Sequence, residues 1–324
     1  MAEASPPLSL CILTPSHRCD LARFAVLRES IRAFAPGIPH IALVHTEDYD
    51  YFHRRFQSER NFEIIPTADI LPREIERRRR KSGPKWLIRN GFRGQIRGWH
   101  AQQLAKIFAL AASRYEAALF VDSDVLICRP LQARDFYIDG RLKLFRQRAT
   151  NAEQMDFDIS THDLLKNPLH TVTEFFDYIF QPACFRRSTA IRLLEELVRQ
   201  RGSESEWIRR FLKERRPSEY NLLGYAATVL EGGRNYGLVE CSPADLHHAV
   251  RFPEDLGRFD QEMRRMLAQP KQFALIQSTV GIDPEKIAAA FRFLVDTKPD
   301  DRGNVSAIAR PTLRRGTPQY APRT

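Results

Sequence analysis

The first part of the chain alternates between short apolar runs and segments with apolar residues at helical spacing. The apolar runs predict strands at 8–16, 38–45, 61–66 and 118–121. The segments between them predict helices at 19–34, 48–56 and about 99–113. Strands that alternate with helices are typical of a parallel sheet covered by helices. We therefore expect an α/β fold.

Beyond residue 130 the pattern becomes less regular. Shorter strands are predicted within 142–147 and 174–182, and helices at 188–201, 206–214 and 218–230. The last residues are rich in Pro, Gly and Arg without a sustained period, which predicts a basic, disordered tail over 296–324. We expect a single domain over 1–295, with halves at about 8–130 and 131–295, followed by this tail.

The composition is that of an ordinary globular protein. The chain has 324 residues, 43% of them hydrophobic, which is enough for a sizeable core. Its apolar runs are shorter than the roughly 18 residues of a membrane span, and an early Glu3 disfavours a secretory signal. Five dispersed cysteines without a CxxC pair favour free thiols in a reducing cytosol. These features predict a cytoplasmic protein.

The formal charge of +10 indicates an anionic partner without selecting one. Nucleotide phosphates, nucleic acid and a membrane surface all qualify. Five consecutive cations at 77–81 form either a solvated loop or a peripheral contact with the inner membrane surface. The arginines are not interleaved with a platform of aromatic residues, so we expect no specific nucleic-acid partner.

Two aspartates, Asp122 and Asp124, follow the fourth predicted strand. Residues i and i+2 of a strand point to the same side, so the two carboxylates can converge on one ligand while Ser123 faces elsewhere. A divalent cation relieves their repulsion, and hard carboxylate oxygens suit Mg²⁺ or Mn²⁺. Open α/β sheets bind ligands beyond the carboxyl ends of their strands, which favours a site here. The alternative is a solvated turn that caps a helix.

The sequence VDSDV fits two enzyme chemistries. In haloacid-dehalogenase-type phosphatases, DxDx[T/V] at the end of a strand supplies an aspartate nucleophile and an acid. That motif normally lies on the first strand of its domain, whereas three predicted strands precede it here. The other chemistry is glycosyl transfer from a nucleotide sugar.

Several segments, taken together and in order, resemble a family of little-characterised bacterial proteins with the glycosyltransferase-A fold. They are SLCILTPSHRCDLARFAVLRESIRAF, IALVHTEDYDYF, GWHAQQLAKIFAL, ALFVDSDVLICRPL and RPSEYNLLGYA. The resemblance implies a Rossmann-like fold with a mostly parallel central sheet flanked by helices. It also implies a metal-dependent enzyme that transfers a sugar from a nucleotide diphosphate donor to a carbohydrate or glycolipid acceptor, in cell-surface polysaccharide or glycolipid synthesis.

By that resemblance, Asp122 and Asp124 hold Mn²⁺ or Mg²⁺ against the donor's diphosphate, with Ser123 beside it. The residues assigned to the base and ribose are Thr14, Ser16, Asp20 and Asp48. Each of these is equally well explained as a turn or cap residue.

The helix before the aspartates supplies further candidates for donor binding. Helical spacing places Gln102 or Gln103 beside Lys106, and this lysine could reach a phosphate or a motif aspartate. A surface lysine is the alternative. Arg97, in RGQIRGW, is a candidate of the same kind.

Three more candidates lie further along the chain. SEYN at 218–221 is typical of a helix start, and the resemblance places it near the acceptor. Glu219 is therefore the candidate base for an inverting reaction, unless it only stabilises the helix dipole. Of the adjacent His247 and His248, we expect at most one, His247, to be a further metal ligand, and a structural histidine is the alternative. Gln181 is placed to shape the acceptor loop.

Overall fold

The structure is a computed structural model that describes residues 9–73, 75, 98–250, 259, 261 and 271–296. Arg97 and the basic run at 77–81 lie outside the described residues. The tail predicted over 296–324 also lies outside them, except for Asp296, which ends a helix.

The strands and helices of the described residues are as follows. The strands are β1 Leu10–Ser16, β2 His40–Val44, β3 Phe62–Pro66, β4 Ala117–Phe120, β5 Val125–Ile127, β6 Tyr137–Ile138, β7 Arg141–Arg148, β8 Phe176–Asp177, β9 Ala183–Arg186, β10 Tyr236–Glu240, β11 His247–Val250 and β12 Phe273–Ile276. The α-helices are α1 Leu21–Phe34, α2 Tyr49–Phe56, α3 Gly98–Ala112, α4 Ala152–Leu164, α5 Arg187–Arg201, α6 Glu204–Lys213, α7 Glu219–Tyr225, α8 Pro243–Leu246 and α9 Pro284–Asp296.

The central sheet has five strands in the order β3-β2-β1-β4-β9. The first four are parallel and β9 is antiparallel to β4, with Leu13 of β1 paired to Phe120 of β4. Every residue of β1, β2 and β4 is buried, which is typical of parallel strands covered on both faces. The predicted α/β class with a mostly parallel central sheet is confirmed.

Helix α3 connects the central sheet to the rest of the core. It contacts β1, β2 and β4 and also packs against α5 and α7. Its inner positions, among them Leu104 and Leu110, are fully buried. Because α3 contacts both β4 and α7, side chains of these three elements can meet. Among the described helices, none combines the length and apolar content needed to cross a bilayer.

Two smaller sheets consist mainly of strands from the second half of the described chain. Strand β7 pairs with β10 in parallel and with β6 and β8 in antiparallel fashion. Strand β12 pairs with β5 in antiparallel fashion and with β11 in parallel. Since β5 directly follows the turn with the two aspartates, β12 lies next to that turn.

The prediction of a strand over 174–182 is mostly wrong. Only Phe176–Asp177 pairs with β7. Oδ1 of Asp177 then accepts a hydrogen bond from the backbone N–H of Ile179 at 2.9 Å. A side chain that bonds its own backbone two residues on favours a turn over continued pairing.

The helix predicted at 218–230 is confirmed in position, but its last part is not α-helical. Oγ of Ser218 accepts from the backbone N–H of Asn221 at 3.2 Å, so this serine is the N-cap of α7. The last part, Ala226–Leu230, is a π-helical turn.

Gly224 of α7 lies directly against the buried ring of Tyr178. A β-carbon here would overlap the ring, so we expect Gly224→Ala to lower the free energy of unfolding by about 1–3 kcal/mol. Gly37 is the control, because a β-carbon there meets no atom within 4 Å. Gly37→Ala should change stability by less than about 0.5 kcal/mol. Urea denaturation measures both, and a Gly224→Ala variant as stable as the wild type would contradict this packing.

Candidate active site

Two adjoining cavities open beyond the carboxyl ends of the parallel strands. The larger, of about 520 Å³, contains both aspartates, Asp122 and Asp124. The smaller, of about 180 Å³, lies at the ends of β1 and β2 and includes Ser16 and Asp20. Trp99 and Gln102 line both. Hereafter they are called the large and the small cavity.

Lys106 is the centre of an ionic network in the large cavity. Its Nζ lies 2.7 Å from Oδ1 of Asp122 and 2.9 Å from Oε1 of Glu219. It also donates to the hydroxyl of Tyr220 at 2.8 Å. Burial alone would lower the pKa of Lys106, but the two carboxylates outweigh burial and raise its pKa well above 10.5. The lysine is therefore charged, and it contacts one of the motif aspartates as its helical position predicted.

Gln181 holds Asp122 from the other side. Its Nε2 donates to Oδ2 of Asp122 at 2.5 Å and to the hydroxyl of Tyr220 at 2.8 Å. The backbone N–H of Asp122 donates to Oε1 of Gln181 at 3.2 Å. With Lys106 on Oδ1, both carboxylate oxygens of Asp122 have protein partners, so its orientation is fixed.

Asp124 has a different environment. Its Oδ2 accepts from the backbone N–H of Ser278 at 3.2 Å, and its carbonyl accepts from that of Ile276 at 2.8 Å. Burial, followed by the charge of Asp122, raises the pKa of Asp124 to about 7. The negative charge of this carboxylate is thus poorly compensated.

Glu219 is buried at the start of α7 and is only 3% exposed. Its backbone N–H donates to Oε1 of Gln103 at 3.2 Å. Burial raises the pKa of Glu219, and the charge of Lys106 opposes that rise. The carboxylate lines the large cavity while remaining paired with the lysine.

Several buried polar atoms in the cavity walls have no hydrogen-bond partner among the described residues. They include Nε2 of Gln103, in the large cavity, and Oγ of Ser16 and Nδ1 of His17, in the small one. A buried polar group without a partner costs about 1–3 kcal/mol, so such groups are rare and call for an explanation. A ligand that bonds to them is one such explanation.

Three other predicted donor-site residues line neither cavity. The hydroxyl of Thr14 is fully buried and lies 3.0 Å from Nε2 of His40. Oδ2 of Asp48 accepts from the backbone N–H of Arg18 at 2.9 Å, so it fixes the segment after β1. Ser123 is buried between the two aspartates. Asp20, in contrast, lines the small cavity, and it stands at the N-cap of α1 without a capping side-chain hydrogen bond.

The predicted metal ligands share one cavity without forming a cluster. Asp122, Asp124 and His247 all line the large cavity. Within the described ranges, no three His, Cys, Asp or Glu side chains are arranged to hold a metal ion. The reason at Asp122 is that its oxygens face Lys106 and Gln181.

Several cavity residues were missed by sequence reasoning. They include Trp99, Gln147, Gln154, Asp177 and Tyr220. The only feature of the sequence that could have indicated any of them is a polar residue at the end of a predicted strand, as Gln147 is after LKLFR. Gln181 was expected at an acceptor loop, and its bonds to Asp122 were not foreseen.

We expect Lys106→Met to lower the free energy of unfolding by about 3–5 kcal/mol, because it leaves buried carboxylates without their counter-charge. Adding Glu219→Gln removes one of those charges and should restore part of the loss. Lys213→Met, at an exposed position of α6, is the control and should stay within about 0.5 kcal/mol of the wild type. Urea denaturation checks all three, and an undiminished stability of Lys106→Met would contradict the network.

The chain is similar to solved structures of glycosyltransferases at low sequence identity. Mouse xyloside xylosyltransferase 1, in its apo form, aligns at 9% identity over 85% of this chain and 99% of its own, with a TM-score of 0.41. The galactosyltransferase LgtC, in complex with donor and acceptor sugar analogs, aligns at 11% identity over 90% and 98%, with a TM-score of 0.44.

A third solved structure is glucosyl-3-phosphoglycerate synthase from Mycobacterium tuberculosis, in complex with Mn²⁺, UDP and glucosyl-3-phosphoglycerate. It aligns at 13% identity over 80% of this chain and 78% of its own, with a TM-score of 0.38. No curated protein matches the chain. A family model matches residues 6–297, and the chain therefore belongs to the family of unknown function DUF6492.

Proposed function

We propose that this protein is a glycosyltransferase that moves a sugar from a nucleotide diphosphate donor to the hydroxyl of an acceptor. The observation that supports it most directly is the position of Asp122 and Asp124, at the carboxyl end of β4 in a cavity that adjoins a smaller one. Ligands of open α/β sheets bind at this edge, and the two cavities offer successive spaces for a nucleoside and a sugar diphosphate.

The small cavity is the candidate site for the base and ribose. Oγ of Ser16 is buried there without a partner among the described residues, so it is available to a ligand. Trp99, at the junction of the cavities, is 44% exposed and offers an aromatic face. Asp20 lies in the same wall.

The two aspartates remain suited to a divalent cation, because each oxygen of Asp122 keeps a lone pair beyond its contact with Lys106 or Gln181. Mg²⁺ is usually held by one or two carboxylates together with substrate phosphates, so a protein cluster of three ligands is not required. The pKa of Asp124 is raised because burial and the charge of Asp122 disfavour its carboxylate, and a bound cation would offset that negative charge. Asp122 and Asp124 would hold Mn²⁺ or Mg²⁺, with His247 as a candidate further ligand. Once bound, the cation would offset charge on the leaving diphosphate.

The protein's own groups would position the reactants. Lys106 keeps Asp122 in a fixed orientation and places a positive charge beside the donor site. Nε2 of Gln103 has no hydrogen-bond partner in the described part of the chain and is a candidate donor to a ligand. Glu219 is the candidate base for the acceptor hydroxyl, because burial shifts its pKa upward, toward the range useful for proton transfer.

The finer parts of this proposal depend on the sequence. The resemblance suggests a carbohydrate or glycolipid acceptor and a role in cell-surface polysaccharide or glycolipid synthesis. The dispersed cysteines suggest a cytoplasmic location, and the basic run at 77–81 suggests contact at the inner membrane surface. No specific observation favours a phosphatase, since the aspartates follow the fourth strand along the chain. None favours a nucleic-acid-binding protein either.

The donor site can be tested by thermal unfolding with UDP, GDP, CMP and dTDP, each with and without Mn²⁺. We expect one nucleotide to stabilise the protein only with the metal, by about 2.7 kcal/mol at a hundred times its Kd. Asp124→Asn should abolish this stabilisation. Asp139→Asn, on an exposed turn, is the control and should retain it. If no nucleotide stabilises the folded protein, the proposed donor site is wrong.

Glu219→Gln tests the proposed base. We expect kcat to fall by about 10²–10⁴-fold, the usual contribution of a general base, while metal-dependent stabilisation by the nucleotide persists. Transfer is measured as release of the nucleoside diphosphate in the presence of acceptor. Activity within a few-fold of the wild type would instead assign Glu219 only to the support of Lys106.

A further inference from the structure

Tyr220 lines the large cavity, and its hydroxyl group takes part in two hydrogen bonds. The phenolic oxygen accepts one from Nζ of Lys106 and one from Nε2 of Gln181, both at 2.8 Å. The buried ring packs against Phe120 and Phe185, which fixes its position. Two donors therefore hold the phenolic oxygen at a defined place in the cavity wall.

Both neighbours of the Tyr220 oxygen are hydrogen-bond donors. The ammonium group of Lys106 has no acceptor atom. The orientation of the Gln181 amide is set by Asp122, whose backbone N–H donates to Oε1 at 3.2 Å and whose Oδ2 accepts from Nε2 at 2.5 Å. Since both bonds use lone pairs of the Tyr220 oxygen, its own hydrogen has no acceptor in the described part of the chain.

The hydroxyl of Tyr220 keeps this hydrogen at neutral pH. Burial, followed by the charge of Asp122, raises the pKa of Tyr220 well above its usual value of 10. A buried donor without an acceptor is rare in folded proteins, because the hydration that it lost is not replaced. Either an ordered water or an atom of a ligand would supply the acceptor.

A second donor in the same cavity is also unused. Gln103 is 2% exposed, and its Oε1 accepts from the backbone N–H of Glu219 at 3.2 Å. That bond identifies the oxygen of the amide, and Nε2 has no partner among the described residues. One residue bonded to Glu219 and one that follows it in the chain thus both have hydrogens to donate. A ligand in this part of the cavity needs oxygen atoms that accept them.

On the proposed function, the position of Tyr220 indicates which part of the ligand is near it. The ammonium of Lys106 contacts Asp122, on the proposed diphosphate side, and Glu219, the candidate base for the acceptor. Tyr220 is bonded to the same ammonium. The group that is transferred lies between the leaving diphosphate and the acceptor. The ligand atom bonded to Tyr220 would therefore belong to the transferred sugar.

A hydroxyl group suits this position better than a phosphate or carboxylate oxygen. Its oxygen accepts the hydrogen of Tyr220, and its own hydrogen can be donated to a carboxylate oxygen of Asp122 or Glu219. An ionised oxygen has no hydrogen to donate to these carboxylates. A single hydroxyl thus matches both the donor and the acceptors that surround it.

We propose that Tyr220 determines specificity for the transferred sugar, because its hydroxyl donates a hydrogen bond to one hydroxyl of that sugar. This inference rests on the proposed function, which defines the transferred sugar. The bond forms with the sugar and not with the nucleotide. Loss of the phenolic hydroxyl should therefore affect a nucleotide sugar and its free diphosphate differently.

Tyr220→Phe removes the donor and keeps the ring. The probes are UDP-glucose, UDP-galactose, dTDP-glucose and GDP-mannose, each compared with its own free diphosphate, with Mn²⁺, by isothermal titration calorimetry on the full chain. For the nucleotide sugar that binds best, we expect Kd to rise about tenfold, since its hydroxyl loses a partner. The Kd of the free diphosphate should change by less than about twofold, because it makes no contact with Tyr220.

A purely structural role of Tyr220 would affect both ligands alike, since the variant also removes an acceptor from Lys106 and Gln181. Tyr236→Phe is the matched control. Its hydroxyl is buried and lies 2.7 Å from Oγ1 of Thr189, and Tyr236 lines neither cavity. This variant should leave both Kd values within about twofold of those of the wild type.

Deoxy analogues of the best-bound nucleotide sugar locate the contact. One of them should bind the wild type about tenfold more weakly and should lose nothing further with Tyr220→Phe, because the hydrogen bond is already absent. Analogues that each lose the same affinity on both proteins would contradict a contact between Tyr220 and the sugar.

The outcomes separate this inference from the proposed function. Equal weakening of the nucleotide sugar and its diphosphate, or no weakening, would overturn the role of Tyr220. An unchanged affinity is the result expected if an ordered water accepts the hydrogen. Both results leave the proposed function intact, provided that the diphosphate binds with Mn²⁺. If neither nucleotide sugars nor diphosphates bind to the folded protein, the proposed function is wrong, and the role of Tyr220 is rejected with it.

Discussion

The buried ammonium of Lys106 is the interaction on which the candidate site depends. It brings together α3, the end of β4 and the start of α7, because Asp122 and Glu219 both contact it. A buried charge is tolerated only when its partners are well placed, so these elements must keep their relative positions. The network therefore fixes Asp122, of the proposed donor site, and Glu219, the candidate base, relative to each other. A substitution at one of them changes the surroundings of the other.

The parallel half of the fold was predictable because three of its strands, β1, β2 and β4, are buried along their whole length and helices follow the strands at regular intervals. The second half was less so, since its strands pair with distant ones. Strand β5 pairs with β12, and β7 pairs with β10. Local patterns contain no information about such partners, and the turn at Asp177 ended a strand that hydrophobicity alone would have continued.

The site was predictable where its chemistry follows from a local pattern. Asp122 and Asp124 are marked by their place after an apolar strand, and Lys106 by its helical spacing from the glutamines. The meeting of Gln147 and Asp177 in the large cavity was not predictable, because it depends on the pairing of β7 with β8. Thr14 and Asp48 satisfy the same sequence rule as Ser16, yet their side chains bond to His40 and Arg18 instead of lining a cavity.

Asp124 is held by the backbone of a segment far along the chain. Its carbonyl and its carboxylate accept from Ile276 and Ser278, the latter 154 residues away in sequence. As the chain is synthesised from its N-terminus, the parallel strands and both aspartates emerge long before this segment does. A nascent or truncated chain that ends before β12 thus contains the motif but not the backbone that orients Asp124. Asp124 therefore reaches this geometry only after residues 276–278 have been synthesised, when nearly all of the described fold is present.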